Sequence, residues 1–182
     1  MALTEQPLEK AFMLVEPGPV LLVTTRSGGK NNIMTITWHM VTDFTPRIAL
    51  TTGPWNYSFR ALRDTGECVL AVPTVDLAEK AVEIGDCSGA DVDKFAKFGL
   101  TPLPGAEVRA PLIAECLACL ECRVEDYLDP PGIFLLRGVR AWLDRDRAER
   151  RTFHANGDGT FVADGETFSL RGRMEDKLPP GV

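Results

Sequence analysis

The residues from Asn31 to Leu62 read NNIMTITWHMVTDFTPRIALTTGPWNYSFRAL. A strand carrying Asn32, Thr35, Thr37 and the Trp38-His39 pair leads through the turn Asp43 to Pro46 into a second strand ending Thr51-Thr52. A short turn and a helix opening Asn56-Tyr57-Ser58 follow. Neighbouring strands with small hydroxylated side chains, feeding a helix N-terminus, make a platform for a flat polar ring with a phosphate tail. The unpaired amides and the positive end of the helix dipole at that terminus favour an anion. Asn56 and Ser58 have two readings: either one caps the helix by accepting a backbone N–H, or both face a phosphate. The stretch therefore points to a nucleotide-like cofactor, although the usual nucleotide-binding glycine motifs are missing.

Other motifs point elsewhere and fit less well. Gly28-Gly29-Lys30 lacks the glycine spacing and the following Ser/Thr of a phosphate loop, and it reads as a hairpin turn. Gly157-Asp-Gly159 has no third glycine and no strand-to-helix setting. Cys116, Cys119 and Cys122 have the CxxCxxC spacing of part of an iron–sulfur ligand set, but the fourth ligand of the usual run is absent. On a continuous strand, alternation puts Cys116 and Cys122 on one face and Cys119 on the other, so buried thiols are the reading here and a metal site the alternative. Cys87 sits in a Gly/Asp/Ser loop that leaves it open to reaction. His39 and His154 are the two histidines, each serving either structure or ligand contact. With no Gly-x-Ser-x-Gly turn, a hydrolytic triad has no support. Asp91 and Asp93 read as charge complementing a helix start.

The elements that must hold this platform are mostly strands. Strands are expected over Val20–Thr25, from Asn31 to about Val41, over Arg47–Thr52, Cys68–Val72, Leu112–Tyr127 and Ile133–Leu143. Helices are expected over Ser58–Thr65, ended by Gly66, and over Val75–Ile84 and Asp91–Phe98. A weak helical pattern in the N-terminal arm stops at Pro17-Gly-Pro19, and Asp164-Gly165 reads as a hairpin signal. Short helices inserted among hairpins favour a mainly β fold, an antiparallel barrel with peripheral helices, over a parallel α/β sheet. At 182 residues and 45% hydrophobic, the chain supports one core, so a single domain over 1–182 is expected, with an arm at 1–14 and a tail at 166–182. The net charge of −6 argues against nucleic acid and anionic membrane as partners. No cationic start precedes an apolar run, and no apolar run is long enough to span a bilayer, so no secretory signal or membrane span is expected. The five cysteines, an odd number in a chain too large to need staples, fit reduced thiols in a cytoplasmic protein.

The ordered set PGPVLLVTT, NNIMTITWHM, NYSFRALRDTGECVLAVPT, SGADVDKFAKFGLTP and PLIAECLACLECRV resembles the flavin reductase-like family, and within it the flavoredoxin branch. The resemblance covers about residues 10 to 165 and implies the FMN-binding split β-barrel, an antiparallel Greek-key barrel, as a homodimer with FMN near the subunit interface. It implies that Asn32, Met34, Thr35, Ile36, Thr37 and Trp38 border the isoalloxazine and ribityl chain. It further implies that Thr51, Thr52, Asn56, Tyr57 and Ser58 hold the ribityl and phosphate end, with Arg60 as a charge partner, and that Lys94 approaches the cofactor, from the same or from the second subunit. The function implied is an FMN-dependent oxidoreductase taking hydride from NAD(P)H and passing electrons to flavin or to an acceptor protein. The flavin would carry the chemistry, so no catalytic side chain is expected. The alternative is a flavin-binding electron carrier without its own NAD(P)H site. An oxidase-like split barrel for another cofactor and an iron–sulfur protein are more distant alternatives.

Overall fold

A computed structural model describes residues 3–15, 18–174 and 177–179. The strands are β1 (Thr4–Gln6), β2 (Leu21–Ser27), β3 (Lys30–Ile36), β4 (His39–Val41), β5 (Arg47–Thr51) and β6 (Glu67–Val72). They continue as β7 (Pro102–Leu103), β8 (Leu112–Ile113), β9 (Ala118–Leu128), β10 (Ile133–Leu143), β11 (Phe153–Ala155) and β12 (Phe161–Ala163). The helices are α1 (Tyr57–Thr65), α2 (Ala78–Gly85) and α3 (Lys94–Phe98), and a 3₁₀ helix spans Leu8–Leu14.

Connectivity forces the main sheet to curl. Its strands run β3-β2-β6-β9-β10-β5-β4, with β1 also on β10, and each pairing is antiparallel. The two ends of that path, β3 and β4, are joined in the chain by only Thr37 and Trp38. Laid flat, seven strands would separate their outer members by about 29 Å, whereas three Cα steps reach about 11 Å. The edges must therefore approach each other, giving a mainly β, barrel-like sheet that stays split where Thr37 and Trp38 cross.

Alternation then sorts the side chains into two cores. Leu21, Val23, Met34, Ile36, Leu70, Leu120 and Phe134 point inward, with Leu62 of α1 added to them. Leu22, Ile33, Val69, Ala71 and Cys119 point outward, where Leu77, Ala81 and Ile84 at helical spacing along α2 cover them with Phe95 and Phe98 of α3. Gly66 ends α1 in the left-handed region, at φ 65°, as its placement after the helix predicts.

Several elements depart from the sequence reading. The strand expected from Asn31 to Val41 breaks after Ile36, because its first part pairs with β2 and its second with β5. The strand expected over Leu112–Tyr127 is two strands separated by a turn at 114–117, so Cys116 does not take part in the alternation of β9. Cys116 and Cys119 share the outer core, while Cys122 lies in the inner one with Cys68. The helix expected from Asp91 begins at Lys94, capped by the Asp93 carboxylate, which accepts from Ala96 N at 3.2 Å. Asp164-Gly165 is not the hairpin turn. Residues 156–160 turn β11 into β12, and Asp164 follows β12, its carboxylate accepting from Thr152 and His154. The arm carries β1 ahead of its 3₁₀ helix, and the stop expected at Pro17 lies outside the described residues.

One buried carboxylate fixes the long 104–109 loop against the outer face. Glu121 on β9 is fully buried and accepts from Ala106 N at 3.1 Å, Glu107 N at 2.7 Å, Val108 N at 2.9 Å and Trp142 Nε1 at 2.8 Å. Glu121→Ala would strand four donors and should destabilise the fold by about 3 kcal/mol, read as a lowered urea midpoint. A loss below about 0.5 kcal/mol would show that the loop does not depend on this residue.

Candidate functional site

The free side of β3 is where the cavity forms. Because β3 pairs only with β2, its other edge is open, and residues from both of its faces reach the same space. A cavity of about 280 Å³ is lined there by Asn32, Met34 and Thr35 of β3 and by Trp55, Asn56, Tyr57 and Ser58 at the start of α1. Its far wall is Ile84 to Ser88, at the end of α2, together with Lys94 of α3.

Hydrogen bonds lock these pieces together. Asn32 Nδ2 donates to Ser58 Oγ at 2.7 Å, and Thr25 Oγ1 lies 3.4 Å from the same oxygen. Thr35 Oγ1 donates to Ala81 O at 2.5 Å, which ties β3 to α2. The Asn56 side chain does not cap α1. Its Nδ2 donates instead to Thr52 Oγ1 at 3.0 Å. Ser58 lies inside the helix, so no side chain caps that terminus. Of the two readings open for Asn56 and Ser58, the capping one is therefore not realised.

Lys94 supplies the charge. It is 4% exposed, and its Nζ donates to Ile84 O at 2.7 Å, near the carbonyl end of α2. Among the described residues it makes no ion pair. Burial holds its pKa below the usual lysine value, with Cys87 opposing the shift and Lys97 adding to it. An ammonium has three hydrogens, and one of them is used. Asn32 Oδ1 is also buried with no hydrogen-bond partner. The cavity thus offers a cation, uncapped helix amides and a hydroxyl, with the Asp86 carboxylate on the same wall as Lys94. A phosphate monoester carrying a polyhydroxyl chain has groups that complement them: the anion for Lys94 and α1, and hydroxyls for the polar side chains around them.

The structure gathers seven of the residues singled out above: Asn32, Met34, Thr35, Asn56, Tyr57, Ser58 and Lys94 all line the cavity. Thr52 is buried one hydrogen bond behind Asn56. Ile36 faces the inner core, Thr37 and the exposed Trp38 form the link between β3 and β4, and Thr51 N donates to Trp38 O at 2.9 Å. Arg60 does not line the cavity. Its guanidinium points outward to Asp64 at 3.3 Å. His39 Nε2 bonds Pro19 O at 2.7 Å and His154 Nδ1 bonds Gly18 O at 3.1 Å, so both histidines hold the segment entering β2. Burial lowers the pKa of His39.

The wall from Ile84 to Ser88, and Trp55, did not emerge as site residues from the sequence. The available signal was the small, polar run Gly85-Asp-Cys-Ser-Gly89 just after a helix. Gly89 has a steric role: a Cβ there would lie 2.0 Å from Asn32 Oδ1 and 2.9 Å from Tyr57 Cδ1. Gly89→Ala should therefore unseat this loop at a cost of about 2 kcal/mol in thermal or urea unfolding. Gly165→Ala, with nothing within 4 Å, is the control and should be near neutral. Equal effects would show that the loop does not seat on Asn32.

Comparison with known proteins places this geometry. The family model described as a flavin reductase like domain matches residues 13–161. A protein from Shewanella baltica, described as an FMN-binding domain of a flavin reductases-like enzyme, superposes with a TM-score of 0.83 at 27% identity, covering 92% of this chain and 97% of that one. Flavoredoxin of Desulfovibrio vulgaris superposes with a TM-score of 0.76 at 25% identity over 84% of this chain and 89% of that one. An uncharacterized protein of Archaeoglobus fulgidus is 38% identical over 96 residues, which are 52% of this chain and 54% of that protein. By the extent of the family match and by its fold, the chain belongs to the flavin reductase-like family, with the split-barrel architecture of that family.

Proposed function

We propose that this protein binds FMN and acts as an oxidoreductase that takes hydride from NAD(P)H and delivers electrons to free flavin or to an acceptor protein. The observation that carries the reading is the buried Lys94 ammonium, without an anionic partner, in one cavity with the uncapped start of α1. A buried cation without an anion is costly, and a bound phosphate would remove that cost. The Shewanella baltica relative, described as FMN-binding, supports the choice of ligand.

In this reading Ser58, Lys94 and the first amides of α1 hold the phosphate, while Asn32, Thr35 and Asn56 meet the ribityl hydroxyls. Met34 gives the ring an apolar contact. The ring then lies past the mouth of the cavity, where Thr37 and Trp38 border it, while Thr52 supports the ribityl end from behind Asn56. When bound, FMN supplies the redox chemistry, accepting hydride and releasing electrons. The protein fixes the position of the group, keeps its phosphate out of water, and leaves one face open to a reductant. Among the described residues no acid–base pair is needed for that role.

The segment from the β3–β4 link to the turn before α1 exposes several large apolar side chains. Trp38, Met40, Phe44 and Trp55 are each more than 60% exposed. We assign this surface to contact with a second copy of the chain, since apolar area of this kind next to a ligand site is normally covered. A homodimer would bury the link between β3 and β4 beside the ring.

The test is the absorption spectrum of freshly purified protein, followed by anaerobic addition of NADH and then NADPH. A flavin band that bleaches is the expected result. A band that persists would leave FMN binding intact but remove the reductase activity in favour of an electron carrier. Colourless protein that takes up no FMN would overturn the whole reading. Ser58→Asp should weaken FMN binding about a hundredfold, roughly 2.7 kcal/mol, by setting a carboxylate against the phosphate. Because Ser58 is buried and bonded to Asn32, thermal unfolding of the variant is measured alongside, and weakened binding by a protein that still unfolds cooperatively is the expected result. Unchanged affinity would remove the phosphate from α1.

A further inference from the structure

One wall of the cavity rests on a seat of its own. Trp55 lines the cavity beside Asn32, Met34 and Lys94, yet it is 70% exposed. Burial therefore does not fix the indole; the turn that carries it does. Asn56 N donates to Gly53 O at 2.9 Å, closing a four-residue turn with Pro54 and Trp55 at its centre. Proline presets the backbone angle at the first central position of such a turn. Both flanks are anchored as well: Thr52 N donates to Gly132 O at 3.2 Å, and Asn56 Nδ2 donates to Thr52 Oγ1 at 3.0 Å.

The six-membered ring of Trp55 packs directly on Gly53. A Cβ at Gly53 would lie 2.2 Å from Trp55 Cζ3, 2.4 Å from Cη2 and 2.7 Å from Cε3. Gly53 is not one of the glycines with positive φ, so its backbone would accept alanine. The nearest obstacles to a side chain there are all atoms of the indole. A missing side chain two residues earlier thus sets where the ring stands. A large flat ring held in place before the ligand arrives loses little further freedom on contact.

We propose that Trp55, seated on Gly53, is the wall that retains the flavin, covering the ribityl phosphate end of FMN and slowing its release. The assignment rests on the FMN reading above and deepens it. Retention decides whether the flavin stays as a resident group or exchanges with the free pool. Contacts completed only in the bound state act mainly on dissociation. The indole therefore slows release and leaves capture nearly unchanged.

Release of FMN from the loaded full-length protein, followed by flavin fluorescence after dilution, tests this. Trp55→Ala should speed release about tenfold while association stays within about twofold. Gly53→Ala should speed release by a similar factor, because it pushes the ring off its seat. Trp55→Phe keeps a flat apolar ring and should stay within about threefold of wild type. In the double variant, release should match that of Trp55→Ala, since no indole remains to unseat. Unchanged release in Trp55→Ala would overturn the retaining role, and so would additive effects of the two substitutions. Because the indole is exposed, flavin-free Trp55→Ala should unfold within about 2 °C of wild type. A larger loss of stability there would make the ring a structural group instead. If Trp55→Ala changes the oligomeric state, and a protein concentration that restores it also restores slow release, the indole acts through the subunit interface and the assignment is wrong. Wild-type protein that takes up no FMN would overturn the FMN reading itself.

Discussion

The 2.7 Å hydrogen bond from Asn32 to Ser58 is the joint on which the site turns. It connects the open edge of the barrel to the start of α1, and both partners are almost fully buried. Such a bond is worth more for what its loss would leave unpaired than for its own net strength. With it in place, the amides of α1 face the cavity next to β3. The Gly85–Gly89 loop can then rest on Asn32, because Gly89 has no side chain to prevent it. That loop follows α2, and Lys94 reaches back to the last turn of α2. A strand edge, two helix ends and one ammonium are thus assembled through contacts that each depend on the one before. Helix polarity orders the charges as well: the carbonyl end of α2 steadies Lys94, and the amide end of α1 lies across the cavity from it.

Much of this was legible in the chain. Apolar, β-branched runs bounded by turn residues at β2, β6 and β10 and Gly66 closing α1 pointed to the strand-rich architecture, and the run from Asn32 to Ser58 pointed to the part of the chain where the cavity lies. What escaped was decided by pairing partners far away in sequence. Nothing local to Ile36 says that β3 must stop there; the break exists because His39–Val41 is needed at the opposite end of the sheet. Likewise a run as apolar as Leu112–Leu120 gives no local sign of a turn, since both of its halves are buried. The wall made by Asp86 to Ser88 escaped for a different reason. Small polar residues after a helix are ordinary loop chemistry, and only the approach of α3 makes them the side of a cavity. Arg60 shows the limit of proximity in sequence. It is two residues from Ser58, which on a helix turns it away by about 200°.

Backbone path also decides where the three sulfurs of the cysteine triplet go. Spacing of CxxCxxC gathers sulfurs only when the backbone between them bends to bring them to one point. Here the turn at 114–117 and the strand that follows send them to two sides of a sheet, with Cys116 and Cys119 outside and Cys122 inside beside Cys68. Burial pushes the Cys119 thiol up to about 12 and raises Cys116 and Cys122 as well. Thiols that resist ionisation are poor ligands and poor nucleophiles, and their value is as small packing groups. Cys87 has a different environment: half-buried, in the cavity wall, and close enough to Lys94 to influence its charge. The chain thus keeps four of its thiols out of reach of solvent and places one beside the group that would hold the phosphate. A cavity walled by Lys94, Asp86, helix ends and neutral polar side chains can contribute binding, orientation and field, which is the division of labour a redox cofactor requires of its protein.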